Sequence, residues 1–462
     1  MPNNNVEICD KLRRNNDMCI FELAKEYACR YMETISKKTA TPAKKDLELL
    51  RKFEEQIPEF GENEISILNM LNEYGSPNTV SRETGRYFGF VDGGALPISL
   101  ATRWLTDVWD QNAASFVESP IASKLEDICE KWLVELFNLP SETAAGFVTG
   151  STNASFCALA AARNTILMKQ GWNVFEKGLF GAPEIKVVLS DNAHASIFHA
   201  LALLGIGGES LIKVKSDNRG CLLVDELPNL KNNMIVILQA GNVNTGAFED
   251  FENVCKLANS SKAWVHIDGA FGLWAAASKK TDYLTKGIER ADSWSVDGHK
   301  TLNIPYDCGI VLCKDRQALC SAMTSSADYF VFSKERDPMI YTSDGSRRAR
   351  AIELWAAIKY LGRIGIEYLV NQLCENARYF AEKLSENGFT IVNDVIFTQV
   401  LVSLDDAKMV EYVLKNVQQS RVCWCGGTKF NGKPGIRISV CSWSTSKKDI
   451  DESVNAFVRA RA

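Results

Sequence analysis

Apolar and polar positions change rhythm along the chain. Over 18–36 and 42–56, apolar side chains recur every three or four positions between charged ones, the pattern of helices with one buried stripe. From about residue 145, short apolar runs alternate with helical stretches. The runs 146–149, 185–189, 234–240, 264–268, 293–296 and 309–313 read as strands, and 153–169 and 193–204 as helices. Residues 324–346 keep neither period, as a lid or binding loop of an enzyme would. Helices over 352–361 and 368–386, strands over 389–392 and 399–403, a helix over 407–417, a strand over 436–441 and a helix over 447–459 close the chain. The predicted organisation is a helical segment over 1–85, a large α/β domain over 86–350 and a small α/β domain over 351–462. Alternation of this kind favours a mostly parallel sheet with its ligand at the carboxyl ends of the strands.

Composition narrows the class. The 462 residues are 46% hydrophobic and 24% charged, the balance of an ordinary soluble protein. A net charge of −5 argues against a general nucleic-acid binder, which needs excess cations to displace counterions from phosphates. No apolar run reaches the roughly 18 residues of a membrane span, and the polar N-terminus lacks the apolar core of a secretory signal. The 14 cysteines follow no framework spacing, which favours reduced thiols in a cytoplasmic enzyme. The four histidines, His194, His199, His266 and His299, do not combine with cysteines at metal-ligand spacing.

The strongest chemical constellation is Asp268 with His299 and Lys300. Asp268 ends an apolar strand, and Lys300 follows another strand and the turn Asp297-Gly298. Both therefore sit where an α/β protein places its ligand. A lysine amine that can form a Schiff base, with a carboxylate that keeps a pyridine nitrogen protonated, is the set a pyridoxal phosphate enzyme requires. Thr149-Gly150-Ser151-Thr152 suits a phosphate, since small residues, two hydroxyls and a helix N-terminus converge there. His194 opens a helix after a strand, where an imidazole can stack on a planar ring. Each feature also has a plain reading: a helix-capping Asp, a solvated Lys, a capped strand-to-helix turn, a core histidine. Gly205-Ile206-Gly207-Gly208 follows a helix and lacks the full dinucleotide fingerprint.

In combination, GFVTGSTNASFCALAAAR, SDNAHAS, WVHIDGAFGLW, DSWSVDGHKTLNIPYDCG and SRRARAIELWAAI resemble the group II pyridoxal phosphate-dependent amino acid decarboxylases, from about Arg86 to the C-terminus and in that family's order. AGNVNTGAF and CWCGGTKFNGKPGIRISVCSW resemble its bacterial-type subgroup. The resemblance implies a fold-type-I homodimer related to aspartate aminotransferase. It implies Lys300 as the Schiff-base lysine, Asp268 as partner of the pyridine nitrogen, His194 as the ring-stacking histidine and Ala270 on the opposite ring face. Gly150, Ser151, Thr152 and His299 would hold the phosphate. Many relatives carry Asn and Pro where this chain has Asp297 and Gly298, and an acid beside a phosphate argues against Asp297 as a contact. The roles of Asn242 and Asn244 stay open.

The reaction implied is decarboxylation of an L-amino acid to amine and CO2, with the Cα-protonating acid supplied by the 324–346 segment, from Tyr341 or else Tyr329. An aminotransferase reading would use Arg437 as a carboxylate clamp, and a decarboxylating aldehyde synthase would need only a changed lid acid near Phe330 and Phe332. A binding protein on the same fold would lack the Lys300 linkage. Phe88, Phe90, Trp109, Asn112 and Phe116 resemble the family's substrate wall and suit an aromatic or apolar amino acid, whereas Asp92 or Asp110 would suit a basic one.

Overall fold

The computed structural model describes residues 18–324 and 334–462. Its main sheet has seven strands in the order β1 (Ala144–Val148), β7 (Gly309–Cys313), β6 (Ser293–Asp297), β5 (Trp264–Asp268), β4 (Met234–Gln239), β2 (Lys186–Ser190), β3 (Leu211–Val214). β7 runs antiparallel to both its neighbours and the remaining pairs are parallel. The apolar runs are continuous because both faces are covered. With the two-residue period of a strand, Val188, Val236, Leu238, Val265 and Ile267 enter one core, and Val187, Leu189, Ile235, Ile237 and Val311 enter the other. Helix α1 (Ser151–Lys169) packs in the second core. It is alanine-rich and apolar on most sides, as a buried helix is.

The predicted small domain forms around a four-stranded antiparallel sheet, β10 (Gly426–Phe430), β11 (Lys433–Ser439), β9 (Gln399–Ser403) and β8 (Thr390–Ile391). β10 escaped the apolar pattern because Gly426-Gly427-Thr428-Lys429 is polar. Its signal was the turn Asn431-Gly432, whose φ values of 48° and 78° fit a tight hairpin. The two helices expected between 352 and 386 are one span, Ala351–Glu386, interrupted at Gly362 (φ 60°, ψ −178°).

The expected boundary near residue 86 does not separate neighbours in space. The Trp424 N–H donates to the Arg86 carbonyl (3.1 Å), the Phe88 N–H to the Trp424 carbonyl (2.8 Å) and the Ser439 N–H to the Phe88 carbonyl (3.0 Å). The Phe88 ring lies edge-on to Phe380 at 5.0 Å in the small-domain core. Residues 86–88 thus pack as part of the small domain, and the arm continues toward the strand ends of the large one.

A buried charge cluster supports the edge of the main sheet. On the helix Pro120–Leu136, Glu126 pairs with Arg347 (2.7 Å) and Arg336 (3.3 Å), and none of the three side chains is more than 5% exposed. Glu126→Ala would leave the buried Arg347 guanidinium without its acid, while Arg336 keeps Glu130 (2.8 Å). It is expected to cost about 3–5 kcal/mol, measured by urea unfolding. A loss below about 1 kcal/mol would mean the pairs behave like surface ones.

Candidate active site

Parallel strands point their carboxyl ends to one edge, and the loops leaving that edge build the site. Asp268 is the last residue of β5. Its Oδ1 accepts the Ser295 hydroxyl (3.3 Å) and the Ala270 N–H (3.2 Å). Asp297 is the last residue of β6, and Gly298, His299 and Lys300 follow it. α1 starts at Ser151 directly after β1, with Gly150 as its N-cap. His194 caps α2 (Ala195–Leu203): its Nδ1 accepts the Ser196 N–H at 3.2 Å. That bond leaves the proton on Nε2. Burial pulls the His194 pKa below the ordinary histidine value. Lys300 and Arg437 add to the fall, while Asp268 and Asp297 oppose it.

His194, Asp268, Ala270 and Lys300 line one pocket with Phe90, Gln239, Val243 and Phe271. Five of the residues expected from the sequence, Phe90 included, therefore converge on one cavity. Lys300 Nζ lies 3.0 Å from Asp297 Oδ2. Burial would lower the Lys300 pKa, but the charge and hydrogen bond of Asp297 together with the charge of Asp268 carry it above the usual lysine value. His299 Nε2 is 3.6 Å from the same Asp297 oxygen, its Nδ1 accepts the Cys308 N–H (3.0 Å), and its ring lies 4.2 Å from that of Tyr306. The Tyr306 hydroxyl in turn donates to Asp92 (2.7 Å). Burial holds the His299 pKa down.

The anion cradle is ready-made. No described protein group bonds the hydroxyls of Ser151 or Thr152, and the first N–H groups of α1 face outward from the helix end. A Cβ on Gly150 would meet His299 Cε1 at 3.5 Å and Asp297 Oδ1 at 3.8 Å, so the expected phosphate residues Gly150 and His299 are neighbours. Gly309 makes this possible: any Cβ there would lie 2.3 Å from the Gly150 Cα. Gly150, Ser151, Thr152 and His299 are not among the residues lining the pocket of Lys300 and Asp268, but Asp297 connects the two, and an amine, a carboxylate and an adjoining anion cradle fit pyridoxal phosphate.

Asp297, not expected as a phosphate contact, borders the cradle. A sequence signal existed. Trp294 and Val296 enter the apolar core, so Ser293, Ser295 and Asp297 share the other face. Ser295 bonds Ser155 of α1 (3.1 Å), so this face is the one turned to α1. Gln239 was also missed, although it ends β4 in register with Asp268.

Other expectations do not meet at the pocket. The Tyr341 ring lies 3.9 Å under the Arg336 guanidinium and its hydroxyl accepts from Arg316 (2.9 Å). It is anchored in the charge cluster at the sheet edge and is not among the residues that line the pocket. Tyr329, Phe330 and Phe332 fall outside the described residues. Of the proposed wall, Phe90 lines the pocket. Phe88 is in the small-domain core, while Asn112 bonds Glu118 and Ser346, and the Phe116 N–H bonds Asp337. Phe90 and Val91 have positive φ (52° and 70°), a strained pair that aims the Phe90 ring, and that ring stacks on Trp424 at 5.2 Å. Asn242 closes its own turn by accepting the N–H groups of Asn244 and Thr245, and Asn244 accepts from Thr428. Asp110 caps a helix, and Asp92 is engaged by Tyr306 and Arg82 (3.2 Å).

Comparison with known proteins agrees with this geometry. Residues 47–405 match the family model described as the pyridoxal-dependent decarboxylase conserved domain. The chain is 32% identical over 266 residues to an aspartate 1-decarboxylase of Aliivibrio fischeri, covering 54% of this chain and 48% of that one. It is 28% identical to an acidic amino acid decarboxylase of Xenopus tropicalis, covering 66% and 62%, and 28% identical to an aromatic-L-amino-acid decarboxylase of Bacillus atrophaeus, covering 69% and 67%. The chain thus spans about half to two thirds of the length of these relatives. Among solved structures it superposes on Oryza sativa TDC with PLP and tryptamine (TM-score 0.88, 17% identity, 97% and 98% of the two chains). It also superposes on mouse CSAD (TM-score 0.87, 20% identity, 96% and 99%). At these identities the superpositions establish the fold, type I of the pyridoxal phosphate enzymes, as the motifs led one to expect.

Proposed function

Because the chain belongs to the pyridoxal-dependent decarboxylase family, we propose that it removes the carboxylate of an L-amino acid as CO2 and releases the amine, with pyridoxal 5′-phosphate held at Lys300. The observation that carries this reading is the meeting of Lys300, Asp268 and His194 in one pocket beside the open N-terminus of α1. The cofactor supplies an electron-withdrawing ring. The chain supplies the rest. Gly150, Ser151, Thr152 and His299 would hold the phosphate, and Asp268 would hold a proton at the ring nitrogen. That charge-assisted bond is roughly twice as strong as a neutral one. His194 and Ala270, which line the same pocket, would confine the ring.

Arg437, half-buried on β11, has no acidic partner among the described residues, and its charge reaches His194. It supports a site that receives a substrate carboxylate. We further place a second copy of the chain against the exposed apolar surface of Leu105, Val108, Trp109 and Val117, as a cytoplasmic homodimer. A second reading, decarboxylation with oxidation to the aldehyde, draws on a 4-hydroxyphenylacetaldehyde synthase of Rhodiola rosea that is 23% identical over 93% of this chain.

A panel of the twenty amino acids, assayed for CO2, amine, aldehyde, keto acid and ammonia, tests the proposal. The expected result is CO2 and amine in equal amounts from one chemical class, acidic or aromatic. Keto acid without CO2 would replace this reading with transamination. Aldehyde with ammonia would replace it with the synthase.

A further inference from the structure

Asp297 faces two ways. Its side chain is 1% exposed. Oδ2 lies against Lys300 Nζ at 3.0 Å, while Oδ1 is buried with no hydrogen-bond partner and sits 3.8 Å from the position of a Cβ on Gly150. The backbone is fixed on both sides: the Asp297 N–H donates to the Ala270 carbonyl (2.9 Å), and the Trp274 indole donates to the Asp297 carbonyl (2.9 Å). The carboxyl therefore bridges the lysine and the anion cradle and is held there.

This placement raises two chemical difficulties. An ammonium ion paired to a buried carboxylate is not a nucleophile, and a carboxylate beside a phosphate repels it. One proton movement removes both. We propose that Asp297 is a proton exchanger between Lys300 and the cradle: entry of a phosphate drives the Lys300 ammonium proton onto Asp297, which frees the amine for attachment and neutralises the acid that would oppose the phosphate. The inference rests on the reading that Lys300 anchors pyridoxal phosphate.

In the step, an N–H bond of Lys300 breaks and an O–H bond forms on Asp297 Oδ2, with the electron pair left on nitrogen. No proton is drawn from solvent. The free amine then condenses with the aldehyde carbon and one water leaves.

The titratable groups facing this pair are His299 on the same loop, His194 at the start of α2, Asp268 at the end of β5, Cys308 ahead of β7 and Cys441 from the small domain. None competes as acceptor. His299 and His194 each use Nδ1 to accept a backbone N–H, which leaves a proton already on Nε2. Burial raises the Cys308 and Cys441 thiols, so both keep their protons. Asp268 serves the ring nitrogen.

The test uses the full chain stripped of cofactor, with pyridoxal, which lacks the phosphate, as the attaching aldehyde and inorganic phosphate to fill the cradle. Attachment is followed by growth of the yellow absorbance band and by borohydride trapping on Lys300. Phosphate is expected to speed attachment about tenfold or more, the change in free amine that accompanies one pKa unit, whereas sodium chloride at equal ionic strength leaves the rate unchanged. In Asp297→Asn, attachment should be fast without phosphate and gain nothing from it. Equal wild-type rates with and without phosphate would overturn the inference, as would full phosphate stimulation in the Asn variant. The wild-type comparison decides alone if the variant fails to fold. If pyridoxal phosphate itself leaves no trapped adduct on Lys300, the functional reading falls and this inference with it. A trapped adduct with no phosphate effect removes this inference only.

Discussion

Lys300→Ala is expected to yield a folded protein that cannot be bleached by borohydride and whose turnover falls by more than about 10⁴-fold, the scale on which loss of a single covalent group acts. The fold should survive because Lys300 is not part of either apolar core of the sheet. Its backbone carbonyl still accepts the Asn303 N–H (3.0 Å), which keeps the loop after β6 in place. The substitution has one structural cost: Asp297 loses the cation at 3.0 Å and keeps only the more distant His299. A measurable drop in urea midpoint is therefore expected alongside the loss of chemistry, and the two are read separately. Turnover within tenfold of wild type would remove Lys300 from the reaction.

The second large effect is at Asp268. Asp268→Asn keeps a carbonyl oxygen where Oδ1 now accepts from Ser295 and Ala270, so the strand end should keep its shape. What is lost is the negative charge that, in the proposed function, would hold a proton on the ring nitrogen. Removing one preorganised charge partner of a reacting group costs about 10²–10³ in rate, and kcat should fall by that factor while borohydride still traps cofactor on Lys300. His194 is a second reporter. The charge of Asp268 raises its pKa against burial, so the imidazole should titrate lower still in the variant, as followed by NMR. An unchanged kcat would show that another group protonates the ring.

These expectations depend on placements of different legibility. The positions of Asp268, Lys300, Gly150, Ser151, Thr152 and His194 could be read from the chain because each ends or follows a strand. Right-handed strand–helix–strand units carry every such loop to the same edge of a parallel sheet. Local periodicity was enough for the continuous apolar strands, whose two faces are both covered. It failed at β3, a partly exposed strand at the edge of the main sheet, and at β10, where a polar hairpin strand pairs with β11 along its backbone rather than burying an apolar face.

The burial of Phe88 could not be read, because it depends on Trp424 and Ser439, more than 300 positions away, pairing with its backbone. Tyr341 looked like a lid residue from its neighbours in sequence. Its surroundings depend on Arg316 and Arg336, which the fold gathers around it at the sheet edge. Phe90 is aimed by two consecutive left-handed residues that no propensity favours.

The sequence by itself determined which side chains reach the carboxyl edge of the sheet, since strand period and βα handedness are local properties. Tertiary structure alone decided how they act on one another. Whether Asp297 meets a lysine, a phosphate or solvent, and whether Arg437 finds an acid, depends on distances of a few ångströms between separate elements. Electrostatic energies at such separations, inside a buried pocket, change by whole kcal/mol with small displacements.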